Sequence, residues 1–360
     1  MKGQNILFLI NKFKTGGAEY AFERDIQALT SRGVSVWAAS LYGMEKPKRI
    51  DASRFFCPQF KGTLDIAAYM RLARFLRREH ITCIFATLEH AQVVARVLGV
   101  FMPRVRVVIW EVGMADRKPG RYKILDILLN IRVNAIVPIS NGVRESLLRY
   151  QAIHRQKMTV VPLGIEVPAQ LPVRRQDAVF TVLAVGSLRR EKGFAVLIDA
   201  FAGFLKYIGA SARLVIVGKG ILEGELKERV HERGIAPDVL FAGQCNALQV
   251  RDWYLRAHCF VLSSISEGYP TVVAEAMANG TPIIATRVSG AVDMIEENLS
   301  GILVAPNSAS ELQTALVRLY RDPRETARLG KGAYERARRS LSLEEHIARL
   351  SEVLDISVGT

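Results

Sequence analysis

The stretch HCFVLSSISEGYPTVVAEAMANGTPIIAT, residues 258–286, reads as strand, turn, helix and second strand. CFVLSS (259–264) is short and apolar, ISEGYP leads off its carboxyl end, and TPIIAT (281–286) is again strand-like. Pro270 suits the first turn of a helix, where its missing N–H is no loss. Inside this unit stand two glutamates, Glu267 and Glu275, in a segment that is otherwise small and apolar. They are conspicuous in a chain whose net charge is +14.

The same alternation runs through nearly all of the 360 residues. NILFLI (5–10) reads as a strand and 18–33 as the helix that follows it, closed by Gly33. Residues 34–41, 82–87, 105–110, 134–140 and 158–164 repeat the strand pattern with helical stretches between most of them. Residues 166–179 break it, and Pro168 and Pro172 bracket an interdomain linker there. It restarts with strands at 180–186, 213–218, 239–243, 258–264, 281–286 and 301–306. Short strands alternating with helices predict an α/β fold with parallel sheets covered on both faces. The chain therefore divides into a first domain (1–167), a linker (168–179), a second domain (180–339) and a final helix (340–360) expected to cross back to the first domain. Ligands of doubly wound sheets sit outside the carboxyl ends of the strands, so a cleft between the two domains is the expected site.

About half the residues are hydrophobic (49%), yet no apolar run is long enough to span a bilayer. Cys57, Cys83, Cys245 and Cys259 show no CxxC spacing and no neighbouring histidine cluster, which argues against a zinc site or a disulfide framework. The N-terminus reads as a first strand rather than a signal peptide, and a reducing cytoplasm is the expected compartment. The charge is one-sided. Residues 1–168 hold 26 Lys+Arg against 13 Asp+Glu, a net of +13, whereas 169–360 hold 23 against 22. Such a field suits an anionic partner.

Three segments carry chemistry. In KTGGAE (14–19), Gly16 and Gly17 let backbone approach a ligand where the first helix offers free N–H groups. Neither this turn nor GKGILEG (218–224) is a GxGxxG dinucleotide fingerprint. In AVGSLRREKG (184–193), Arg189, Arg190 and Lys192 follow a strand end and suit a diphosphate whose charge grows as a bond breaks. The amides of Tyr269, Thr271 and Val272 could meet an anion at the next helix N-terminus. Carboxylates beside a phosphate are tolerated when they accept from hydroxyls, so Glu267 and Glu275 flanking an anion suit a nucleotide sugar, polyol at both ends.

With these segments in hand, the chain resembles the glycosyltransferases of family 4, whose GT-B fold has two facing Rossmann-like domains. The E-x7-E motif (Glu267, Glu275), its continuation EAMANGTPIIAT, and GGAE, AVGSLRREKG, LVIVGKG and VLFAG match the family pattern in order. The resemblance implies a retaining, metal-independent hexosyltransferase, and the chain contains no Asp-x-Asp metal motif. It implies that Glu267 meets the donor hexose, that Glu275 meets the ribose, and that Lys192 with Arg189 or Arg190 neutralises the diphosphate. Gly268, Tyr269, Pro270 and Thr271 would hold phosphate and sugar, and Gly16 and Gly17 would close over the donor. Backbone near Gly218 and Gly220 would set the choice of base. The pattern departs at Ser187, where many members have arginine, at Val112 after Glu111, where many have histidine, and at Leu163, where asparagine is usual.

In that family the first domain takes the acceptor, which gives its charge a meaning. Residues 64–80 read as an amphipathic helix bearing Arg71, Arg74, Arg77 and Arg78, with Leu64, Ala67, Met70 and Leu72 among its apolar positions. Together with Glu111 these residues mark the acceptor and membrane side: peripheral docking on an anionic membrane that presents a glycan or lipid-linked acceptor. A nucleotide-sugar epimerase is the alternative, and a non-catalytic nucleic-acid-binding protein a second. The latter is disfavoured because no aromatic residues interleave with the basic runs.

Overall fold

The computed structural model describes residues 4–13, 17–43, 50–150, 155–175 and 177–356. It divides into two compact units: Met1–Gly164 together with Glu344–Thr360, and Ile165–Leu343. In the first, β1 (Asn5–Ile10), β2 (Ser35–Ser40), β3 (Phe55–Phe56), β4 (Ile81–Thr87), β5 (Arg106–Glu111) and β6 (Ala135–Pro138) form one parallel sheet in the order β3-β2-β1-β4-β5-β6. Residues Ile6 to Ile10 are completely buried, as expected of a strand covered on both faces. The helices are α1 (Gly17–Ser31), α2 (Ile66–Arg78), α3 (Glu89–Phe101), α4 (Gly120–Leu129) and α5 (Asn141–Tyr150). Phe22 of α1 stacks on Trp110 of β5 at 5.7 Å, and Phe8 meets Phe85 edge-on at 5.0 Å.

In the second unit, β7 (Phe180–Val185), β8 (Ala212–Val217), β9 (Val239–Gly243), β10 (Cys259–Leu262), β11 (Ile283–Thr286) and β12 (Ile302–Val304) form a sheet in the order β12-β11-β10-β7-β8-β9. Around it lie α6 (Phe194–Ile208), α7 (Glu223–Glu232), α8 (Ala247–Arg256), α9 (Thr271–Ala278), α10 (Ser289–Met294), α11 (Ala309–Arg321) and α12 (Pro323–Ser340). Phe201 and Phe204 of α6 and Leu312 and Leu316 of α11 share one core.

Three expectations change. The strand expected at 158–164 reduces to a single bridge, Ile136 with Met158. Thr159 and Val161 still donate to Ile136 and Pro138, and the ladder goes no further because β6 itself ends at Pro138. The two-residue β3 was not expected at all; it is too short to show a period. The expected linker (168–179) is tied to the second unit: Arg174 donates to the carbonyl oxygens of Tyr254 and Ala257, and Tyr334 donates to Pro168 at 2.7 Å.

The final helix, α13 (Leu343–Leu354), belongs from Glu344 onward to the first unit. Its His346 is buried, with Nδ1 2.7 Å from the carbonyl oxygen of Pro162 and Nε2 3.0 Å from the buried Asp25 carboxylate of α1. Removing one partner of a buried pair strands the other. His346→Ala is therefore expected to lower the unfolding free energy by about 3 kcal/mol or more. Equilibrium denaturation checks this, and a change within about 0.5 kcal/mol, ordinary for a surface substitution, would contradict it.

Candidate active site

Strand order in the second unit reverses at β7 and β10, the place where doubly wound sheets open a ligand crevice. The loop after β7 passes through Arg189 and a 3-10 turn, Arg190–Lys192, into Gly193. Gly193 has φ +64°, and a Cβ there would lie 2.1 Å from the carbonyl oxygen of Ser263. Only glycine allows this approach. The contact is tied on both sides: Ser263 Oγ donates to the Lys192 carbonyl at 2.9 Å, and Ile265 N–H donates to the Glu191 carbonyl at 2.8 Å.

Lys192 is thereby delivered to the end of β10, where its Nζ pairs with Glu267 Oε1. Ser264 Oγ donates to the same oxygen at 2.8 Å, and Thr286 Oγ1 donates to the Ser264 carbonyl at 2.6 Å. Glu267 is thus held by a cation from the 3-10 turn and a hydroxyl from just beyond β10. Arg189 and Arg190, on the same loop as Lys192, are exposed. Gly218, with φ +137°, packs so tightly on the Gly186 carbonyl that a Cβ would come within 1.9 Å, and Gly220 packs likewise on Leu188. Both glycines are therefore required by loop packing, independent of any ligand.

Helix α9 starts after Pro270, and no side chain caps its N-terminus. The first amides of such a helix are available to an anion. Gly268 and Thr271 are partly exposed there, and Tyr269 and Pro270 are buried. Glu275, one turn along, accepts from Tyr254 Oη of α8 at 3.2 Å. Burial pushes the Glu275 carboxyl above its usual range, and burial with the adjacent Glu275 raises the Tyr254 phenol. The crevice therefore sets one paired carboxylate and one half-buried carboxylate on either side of an uncapped helix N-terminus.

In the first unit Gly16 lies outside the described residues, while Gly17 opens α1 with nothing within 4 Å of a would-be Cβ. Glu111, expected on the acceptor and membrane side, is instead 1% exposed at the end of β5. Lys118 Nζ donates to Glu111 at 2.6 Å, to Asp126 at 3.0 Å and to Gln92 at 3.0 Å, and Arg96 pairs with Asp126 at 2.8 Å. Two acids and two bases balance, so Glu111 is a member of a buried structural network. Sequence reading missed this because its partners come from α3, a loop and α4.

Sequence reading also missed His90, which lies where order reverses between β1 and β4. It is 2% exposed, stacks on Tyr42 at 5.4 Å, pairs with the Tyr42 hydroxyl through Nδ1, and leaves Nε2 without a partner. Burial, with Arg121 nearby, holds its imidazole below the usual range. A lone histidine after a strand carried no signal by itself. Arg71 is tied to the carbonyls of Pro58 and Gln59, and Arg74, Arg77 and Arg78 are exposed on α2. Among the described residues, no group of three or more His, Cys, Asp or Glu is placed to hold a metal ion.

The raised Glu275 pKa carries a sign. An unfolded glutamate gives up its proton near its ordinary value, about pH 4, while the folded one keeps it to higher pH. Stability from this group is therefore greatest below the unfolded pKa and falls as pH rises through the folded one. Glu275→Gln is expected to raise the thermal midpoint at pH 7, with the gain vanishing below about pH 4. Melting curves across that range check it, and a loss at neutral pH would contradict it.

Comparison with known proteins agrees with this frame. The family model described as "Glycosyltransferase Family 4" matches residues 15–167, and the model described as "Glycosyl transferases group 1" matches 172–336. The amylovoran biosynthesis glycosyltransferase AmsK of Erwinia amylovora is 30% identical over 211 residues, covering 56% of this chain and 51% of AmsK. The putative teichuronic acid biosynthesis glycosyltransferase TuaC of Bacillus subtilis is 36% identical over 148 residues, covering 41% of this chain and 34% of TuaC. The chain thus matches these relatives over about half of their length or less. Among solved structures, HepE of Anabaena superposes with a TM-score of 0.80 at 18% identity, over 98% of this chain and 100% of that one. A glycosyltransferase from Rickettsia africae gives 0.82 at 17%, over 99% and 100%. The fold is GT-B. With two glycosyltransferase models following one another along most of its length, and each on its own doubly wound sheet, the chain belongs to glycosyltransferase family 4.

Proposed function

We propose that the protein moves a hexose or N-acetylhexosamine from a nucleoside-diphosphate sugar, UDP-linked, to a glycan or lipid-linked acceptor, with retention of anomeric configuration. The product belongs to cell-surface polysaccharide, lipopolysaccharide or glycolipid synthesis, and the work is done at the cytoplasmic face of a membrane. The observation that carries this reading is the Lys192–Glu267 pair beside the uncapped start of α9 at the β7/β10 switch point. The names and bound ligands of similar proteins support it: AmsK and TuaC are named for polymer biosynthesis, and HepE has been solved with UDP and with UDP-glucose.

On this reading the diphosphate lies against the first amides of α9, with Lys192, Arg189 and Arg190 meeting the charge that develops as the glycosidic bond to phosphate breaks. Glu267 orients the hexose and Glu275 the ribose. In a front-face displacement the departing phosphate oxygen takes the proton of the incoming acceptor hydroxyl, and the new bond forms on the face the phosphate leaves. The cations do without a resident metal. Attachment is peripheral, through the basic first unit, whose residues 1–168 carry a net charge of +13.

Lys192→Ala and Glu267→Gln are each expected to lower turnover about 10²–10³-fold, the usual loss when one preorganised electrostatic group is removed. Thermal unfolding should stay near that of the parent. The assay is labelled UDP-sugar incubated with membrane extract. Full activity in both variants would sink the site, and isomerised free nucleotide sugar in place of transferred label would identify an epimerase.

A further inference from the structure

The amino-terminal edge of the second sheet holds a cavity of about 380 Å³. Arg174 of the chain leading into β7, Phe180 at the start of β7, His258 just before β10, Tyr320 of α11 and Lys331 of α12 line it. The candidate active site lies at the opposite, carboxyl ends of the same strands, so the two are separate places. The charged lining is one-sided: Arg174 and Lys331 are cations, and no aspartate or glutamate joins them among the described residues. Phe180 meets Tyr320 edge-on at 5.3 Å and gives the cavity an aromatic wall.

Arg174 is half-buried, and its Nη1 and Nη2 donate to the carbonyl oxygens of Tyr254 and Ala257 where α8 ends. A guanidinium has more N–H donors than these two carbonyls use. Arg174 forms no ion pair among the described residues. Burial lowers its guanidinium to about 10, which leaves it charged at neutral pH. The carbonyl end of α8 offsets part of that charge, and a tie between linker and helix would need nothing more. Its neighbours are not explained by such a tie. His258 Nδ1 accepts from the Thr181 N–H at 3.0 Å, so Nε2 carries the hydrogen of the imidazole. Burial, with Arg174 beside it, holds that imidazole below its usual range, so His258 is a neutral donor and not a further charge. Its Nε2 makes no hydrogen bond among the described residues. Lys331 meets only Glu335, at 3.7 Å, with its side chain 68% exposed, and an exposed pair of this kind holds a lysine weakly. The cavity thus offers two cations and a neutral N–H that lack matching acceptors. A carboxylate is short of both charge and oxygens for this set, whereas a phosphate supplies both.

We propose that this cavity is a second ligand site, outside the active-site crevice, for a small phosphate-bearing anion. The phosphate lies between the Arg174 guanidinium and the Lys331 ammonium, and one of its oxygens accepts from His258 Nε2–H. Free phosphate and the phosphate of a sugar share this chemistry, and the test separates them. The whole chain is titrated calorimetrically with inorganic phosphate, with glucose 6-phosphate and with glucose. Saturable binding of the phosphates and none of glucose is expected. Tighter binding of glucose 6-phosphate assigns a sugar phosphate stacked on the aromatic wall, and equal binding assigns free phosphate. Lys331→Glu should weaken either about tenfold or more, since it replaces an attraction by a repulsion. Arg174→Gln should do the same, but Arg174 also ties the linker, so the exposed Lys331 position carries the decision. Lys192→Ala, in the crevice, should leave the affinity unchanged. Unchanged affinity in Lys331→Glu overturns the site, as does the absence of saturable binding by either phosphate. A loss in Lys192→Ala also overturns it, because the anion then sits in the crevice. If UDP gives no thermal shift while phosphate binds and Lys331→Glu weakens it, the donor reading fails and this site stands.

Discussion

Where β7 and β10 lie side by side, the loop after β7 presses Gly193 against the Ser263 carbonyl, with no room for a side chain between them. The candidate active site is built outward from that contact. It fixes the backbone of Glu191 and Lys192 onto the end of β10, so the ammonium arrives where Glu267 and Ser264 converge. A lysine on an unsupported loop would lose side-chain and backbone freedom on meeting an anion. Here much of that ordering is complete before any ligand arrives, which is what electrostatic stabilisation of a developing charge requires.

The first unit solves a different problem with different means. Its buried ions, Arg96, Lys118, Glu111 and Asp126, neutralise one another behind the sheet's carboxyl edge. They hold α3, α4 and the intervening loop together and offer no free charge. The excess positive charge of this half therefore lies outside, on α2 and the loops, beside apolar side chains that face solvent.

Most of the fold was legible in the sequence, because parallel strands buried on both faces appear as plain apolar runs: β1, β4, β5, β7, β8 and β10 were all readable. The candidate-site residues were legible for a local reason, since Arg189 to Lys192 lie in the loop after β7 and Glu267 to Glu275 in the loop and helix that follow β10. What escaped depended on distant contacts. The position of Glu111 is decided by Lys118, Asp126 and Arg96, and that of His90 by Tyr42 and Phe60. The apolar positions Leu64, Ala67 and Met70 fit a helix period, but a period does not say which face meets the sheet. In this chain they point outward, while Leu72, Phe75 and Leu76 hold α2 in place.

Hydrogen exchange of the whole chain with and without a UDP-sugar addresses the donor site most directly. Protection is expected to rise in two separate segments, residues 186–193 and 264–275, because the Gly193–Ser263 contact joins them into one ligand-ordered surface. Protection confined to other segments, or none at saturating nucleotide sugar, would contradict the placement of the donor at the β7/β10 switch point.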